Sequence, residues 1–115
     1  MNYKKLGNTD IEVSTICLGT MTWGEQNNQK DAFEQMDYAL ECGVNFFDTA
    51  EIYPSPCFEN TYGSTEKIIG NWFKEKKIEI KLYLLLKFLV PVYHGCAVVV
   101  RNTQNKILKK LWKIA

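Results

Sequence analysis

The chain of 115 residues has one histidine, three prolines and no acidic residue after Glu79. Each scarcity excludes something. Cys17, Cys42, Cys57 and Cys96 include no CxxC pair and only His94 could join them in a zinc set, so no metal site is expected. Met1 to Asp10 is polar, which is not the start of a secretory leader. Four cysteines could close two disulfides, but the expected compartment is a reducing cytoplasm with thiols. A net charge of +1 gives no bias towards nucleic acid. The lack of acids is local, however. Residues 1–77 carry a net charge of −5 and residues 78–115 carry +6. Such a split fits a basic tail for a membrane or nucleic acid, or two unrelated sequences joined end to end.

The length fits one small domain. Residues 3–13 alternate apolar and polar positions around a Gly-Asn-Thr-Asp turn, which predicts a hairpin. Thr15–Leu18 reads as a first core strand ending at Gly19. In "QKDAFEQMDYALECG", Ala32, Phe33, Met36, Ala39 and Leu40 recur at helical spacing, with Gly43 placed for a left-handed cap. "VNFF" follows as a short buried strand. About 17 aperiodic residues come next, a length that is usually functional or disordered. "STEKIIGNWFKEKK" predicts a second helix with a Ser cap, an acid in its first turn and lysines at its end. Ile68, Ile69, Trp72 and Phe73 share one face. A further parallel strand is due, and "IKLYLLLKF" occupies that position.

Two places could carry chemistry. Asp48 ends a core strand, with Tyr53 five residues on, and ligands of parallel α/β folds sit at that end of the sheet. An Asp after a strand is more often a turn former. "LGTMTWG" also follows a core strand. Gly19 and Gly24 would permit close backbone approach, and Trp23 offers a flat face. The same residues suit a glycine-rich turn with a packing Trp, and local sequence leaves both readings open.

"LGNTDIEVSTICLGTMTWGEQN", "GVNFFDTAEIYPSP" and "TYGSTEKIIGNWF" together resemble the opening third of an aldo-keto reductase, most closely in the bacterial branch of that family. The resemblance runs from residue 1 to about 77, with three motifs in order. It implies the N-terminal portion of a (β/α)8 TIM barrel, an α/β fold, here incomplete: a hairpin cap and the first two to three βα units. It implies NADPH as cofactor and small carbonyl compounds as substrates. By position, Tyr53 resembles the general acid and Asp48 the acid that pairs with the catalytic lysine near the nicotinamide. Gly19, Thr20 and Met21 resemble the loop lining the nicotinamide, and Lys87 falls where the family lysine sits. A phenol titrates near about 10, and a neighbouring ammonium stabilises the phenolate, so the set is chemically coherent. The cofactor would supply hydride and the protein a proton.

The resemblance fails after residue 77. The family's active-site histidine follows a later strand, and His94 is not in that element. The loops that normally hold the adenosine phosphate have no counterpart. Reading the codons from Ile80 to Pro91 one base early can give "NKIVLATKVSGP", a family-like third strand. The same slip can give "EALEDS" at the end. Residues 78–115 are therefore read as an out-of-frame tail with no domain of its own, and Lys87 as a survivor of AAA-type codons. A membrane anchor over residues 82–100 is disfavoured, because Lys87, Pro91 and His94 interrupt the apolar run. The resulting reading is a truncated, inactive aldo-keto reductase, with a complementing fragment as a possible partner. The alternative is a non-enzymatic α/β fragment that binds a partner or membrane through its apolar, basic tail.

Overall fold

The computed structural model describes residues 1–76 and the strands 82–89, 94–101 and 107–113, with side-chain detail over residues 1–76 and 82–84. Strands β1 (Tyr3–Lys5) and β2 (Glu12–Ser14) pair antiparallel as the expected hairpin. A second sheet has the order β3-β4-β5-β6-β7. Its strands are β3 (Leu18–Gly19), β4 (Phe46–Ala50), β5 (Leu82–Leu89), β6 (His94–Arg101) and β7 (Ile107–Lys113). β3, β4 and β5 run parallel, and β6 and β7 continue the sheet antiparallel. Helix α1 (Gln29–Glu41) links β3 to β4, and α2 (Ser64–Glu75) stands between β4 and β5. The parallel part is two consecutive βαβ units, β3-α1-β4 and β4-α2-β5. Among the described residues the sheet is not closed, and β3 and β7 are its edges.

Three local expectations need correction. The first core strand is Leu18–Gly19 rather than Thr15–Leu18. Thr15 N donates to Asn2 O and extends the hairpin, while the Ser14 hydroxyl donates to Ile16 O and bends the chain. Ile16 stays 58% exposed, so its apolar side chain has no cover that would favour a strand. Helix α2 is not capped by Ser64. Its N-cap is Gly63, with φ 74°, and the preceding turn is already closed by Gly63 N to Tyr53 O and Ser64 N to Thr61 O. The long loop begins later than the sequence suggested, because β4 continues through Ala50 in register with β5.

The helices form where the periodicity places them. Asn28 and Asp31 make a reciprocal capping box at the start of α1. Gly43, at φ 82°, ends it, and its N–H donates to Leu40 O. Ala32, Met36 and Ala39 from α1 meet Ile68, Ile69 and Trp72 from α2 over Phe47 of β4. The Phe47 and Trp72 rings lie 6.0 Å apart. Burial of this apolar layer is the main stabilising term of the fold. A smaller cluster of Val13 and Tyr83, with Leu6, Ile11 and Phe46 against it, seats the hairpin under the sheet. Asn45 fixes that seat, since its Oδ1 accepts from Ser14 N at 2.7 Å and its Nδ2 donates to Glu12 O at 3.3 Å.

A polar clasp joins the two helices beside this core. Trp72 Nε1 donates to Asp37 Oδ1 at 2.9 Å, and Lys76 Nζ reaches Asp37 Oδ2 at 2.8 Å. Partial burial pushes the Asp37 carboxyl up, but these two donors outweigh it and hold the group below its ordinary value. A depressed carboxyl contributes stability that is complete above its unfolded value and lost as pH falls through the folded one. The unfolding midpoint is therefore expected to drop as pH falls below the ordinary carboxylate range near about 4. Asp37→Ala should cost about 1 kcal/mol, mainly by orphaning the buried indole N–H, and should flatten that acid dependence. Urea denaturation at neutral and acid pH reads both effects.

Candidate active site

The C-terminal end of the parallel strands carries the residues that sequence reasoning singled out. β3 and β4 are in register with Gly19 opposite Asp48. Along β4, Phe47 and Thr49 are buried towards the helices, so alternation puts half-buried Asp48 on the other face. Tyr53 lies three residues past the strand, half-buried, where its N–H donates to Ala50 O at 3.0 Å. Its carbonyl accepts from Gly63 N at 3.1 Å, which closes the loop of residues 51–63 back on itself. The backbone of Lys87 pairs opposite Ala50, at the same end. The Lys87 side chain lies outside the described residues. Asp48, Tyr53 and the Gly19–Met21 segment thus share one end of the sheet.

The segment after β3 is held rigidly. Thr20 is fully buried and its hydroxyl donates to Asp48 O at 2.9 Å. Met21 is 48% exposed, while its carbonyl accepts from Ser55 N at 2.9 Å. Trp23 is 0% exposed, so of the two readings left open for that ring the packing one holds. Its Nε1 donates to Gln35 Oε1 at 2.9 Å, and its carbonyl accepts from Thr65 Oγ1 at 2.6 Å. Gly19 contrasts with this packing, because a Cβ built there would meet nothing within 4 Å. The site therefore has an open backbone rim at Gly19 and a packed wall behind it.

Glu51 and Glu66 flank the loop around Tyr53. A hydrogen bond with Glu51 raises the Tyr62 phenol above its ordinary value. Desolvation, and then the charge of Glu51, raise the Glu66 carboxyl. An open cleft of about 590 Å³ lies at the opposite end of the sheet, between the hairpin and residues such as Asn45 and Tyr83. Asp48 and Tyr53 lie at the other end, towards and past the C-terminal ends of the strands. Sequence reasoning missed Thr65 and Gln35. Thr65 lies within "TYGSTEKIIGNWF" and Gln35 within the α1 stretch, but neither pattern signals a bond to Trp23, 42 and 12 positions away respectively.

Gly24 is the steric key to this arrangement. Its φ is 102°, and an added Cβ would fall 2.7 Å from Ser64 Cβ at the start of α2. Gly24→Ala is expected to destabilise by about 2 kcal/mol, from backbone strain and overpacking together. Chemical denaturation checks this, and an unchanged midpoint would contradict the contact.

Comparison with known proteins bears on this end of the molecule. The aldo/keto reductase family profile matches residues 15–113. Protein tas of Escherichia coli is 44% identical over 91 residues, covering 79% of this chain and 26% of that protein. An uncharacterized oxidoreductase of Bacillus subtilis, YrpG, is 48% identical over 75 residues, covering 65% of this chain and 22% of that one. Norsolorinic acid reductase B of Dothistroma septosporum is 32% identical over 96 residues, covering 76% and 23% respectively. The chain spans about a quarter of the length of these curated relatives.

Proposed function

This chain belongs to the aldo/keto reductase family, and from that premise we propose that it carries the proton-donating part of an NADPH-dependent carbonyl reductase site. Tyr53 is the general acid that protonates the carbonyl oxygen. Asp48 is its carboxylate neighbour, positioned to hold the ammonium of Lys87. That ammonium would stabilise the phenolate left after proton transfer. NADPH, when bound, supplies the hydride, with Gly19, Thr20 and Met21 beside the nicotinamide. The open space at Gly19 is compatible with a flat ring there. The observation that carries the reading is the meeting of Asp48, Tyr53 and Gly19 at one end of three parallel strands.

The 115 residues alone are proposed not to turn over. The described sheet leaves β3 as an open edge, and no described loop forms a cradle for the adenosine phosphate. Two experiments separate these claims. Purified chain mixed with NADPH and an aromatic aldehyde is expected to leave the coenzyme unoxidised, and stoichiometric alcohol formation would contradict inactivity. In the second, residues 1–76 replace the corresponding segment of a full-length aldo/keto reductase. The chimera is expected to reduce the aldehyde. Tyr53→Phe in it should lower kcat by about 10²–10⁴-fold, the usual range for a lost general acid. A Tyr53→Phe chimera with unchanged kcat would remove Tyr53 from the mechanism.

We further propose that residues 1–77 are the family portion and that residues 78–115 are read in a shifted frame. Support comes from the loss of acids after Glu79 and the recoverable string "NKIVLATKVSGP". The family match extends to residue 113 and β5 pairs parallel with β4, so the apolar tail still meets the strand position. The nucleotide sequence from codon 76 onward tests this directly. A one-base shift near codon 78 is expected to restore a family-like reading, and stop codons or unrelated residues in that frame would defeat the proposal.

A further inference from the structure

We infer that Thr65 is a positioning residue, one that locks the segment of residues 20–24 and the loop of residues 51–63 into a single unit set from helix α2. The inference rests on reading those two segments as the carbonyl-reducing site. Thr65 is fully buried, and its hydroxyl donates to Trp23 O at 2.6 Å across 42 positions of sequence. Two residues before Trp23, the Met21 carbonyl accepts from Ser55 N, two residues after Tyr53. One residue after Trp23, Gly24 has no Cβ, which lets Ser64 approach to what would be 2.7 Å. Helix α2 therefore grips the first segment at Trp23 and Gly24, and that segment grips the Tyr53 loop at Ser55.

The other ties do not do the same work. Thr20 fixes the start of the segment to β4 at Asp48, and Gln35 fixes the Trp23 ring to α1. Neither connects the segment to α2, the element into which the Tyr53 loop runs. Thr65 closes that circuit, from Tyr53 through Ser55, Met21 and Trp23 to α2 and back through Gly63 to Tyr53. Opening the Thr65 bond should free the Ser55 amide before it frees the helices.

Amide hydrogen exchange of the full chain tests this, since it resolves local opening from global unfolding. In Thr65→Val the side chain keeps its shape and loses its donor. The Ser55 amide is then expected to exchange about tenfold faster, the scale of one buried hydrogen bond, while the Met36 and Ala39 amides of α1 keep their rates. Thr65→Ser retains the donor and should restore the slow Ser55 rate. An unchanged Ser55 rate in folded Thr65→Val, or equal acceleration at Ser55 and in α1, would overturn the inference. Should Thr65→Val not fold, exchange of the unaltered chain in low urea decides. Ser55, Trp23 and Gly24 are expected to open in one step, and separate openings would overturn the coupling. No turnover is needed, so an inactive chain leaves this test intact.

Discussion

Burial of Trp23 is the constraint on which the functional end of the molecule depends. Its ring lies in the same core as Met36, Phe47 and Trp72. An indole of that size buried without a partner for its N–H would be costly, and Gln35 supplies the acceptor. Once the ring is fixed, the main chain around it has little freedom. The Thr22 carbonyl accepts from the N–H groups of Glu25, Gln26 and Asn27, which winds the segment tightly after Trp23. Before it, Thr20 and Met21 are drawn across the ends of β3 and β4. The position of the backbone facing Tyr53 is thus decided by side-chain packing in the helix layer, on the far side of the sheet from the proposed chemistry.

β4 is the spine that transmits this order along the sheet. At its start, Asn45 ties the hairpin through Ser14 and Glu12, and its carbonyl accepts from Tyr83 N at the head of β5. At its end, Thr20 holds the Asp48 carbonyl, and Ala50 receives the N–H of Tyr53. Between these points, Phe47 faces the helices and Asp48 faces away. A strand clamped at both ends sets the registration of its side chains, because a slip of one residue would exchange Phe47 for Asp48 in the core. The proposed acid site therefore draws its precision from packing and backbone bonds as well as from the residues proposed to react.

What was legible in the sequence followed a local rule. The α1 stripe from Ala32 to Leu40 and the Gly43 ending obey helical spacing, and Ile68, Ile69 and Trp72 mark the α2 face in the same way. The motif around Asp48 and Tyr53 lies at the C-terminal end of the parallel strands, as the order of elements in the sequence suggested. What was not legible depended on partners distant in the chain. Thr15–Leu18 has strand-like letters, yet Asn2 captures Thr15 and leaves Ile16 in solvent. Ser64 has the identity of a cap, yet Gly63 turns the chain first and the loop backbone uses the bonds a cap would have offered. Trp23 could have faced a ligand or the core. The helix-layer core that takes in the ring, and Gln35 accepting from its N–H, place it inside, and neither is predictable from spacing.

The third parallel strand separates fold from chemistry. What β4 requires of its neighbour is an extended, apolar segment with a free hydrogen-bonding edge, and many sequences meet that demand. The run from Leu82 to Leu89 meets it in register along five positions of β4. What the proposed reaction requires is narrower, since it needs an ammonium at one position and loops beyond the strand that can hold a dinucleotide. The first requirement is satisfied by composition and the second only by particular residues in a particular order. Extending a family sheet and carrying an Asp and a Tyr at the end of one of its strands are therefore separate matters from supplying that proposed chemistry. The physical reason is that strand pairing is read by the backbone, while hydride and proton transfer depend on side chains and loops that pairing does not select.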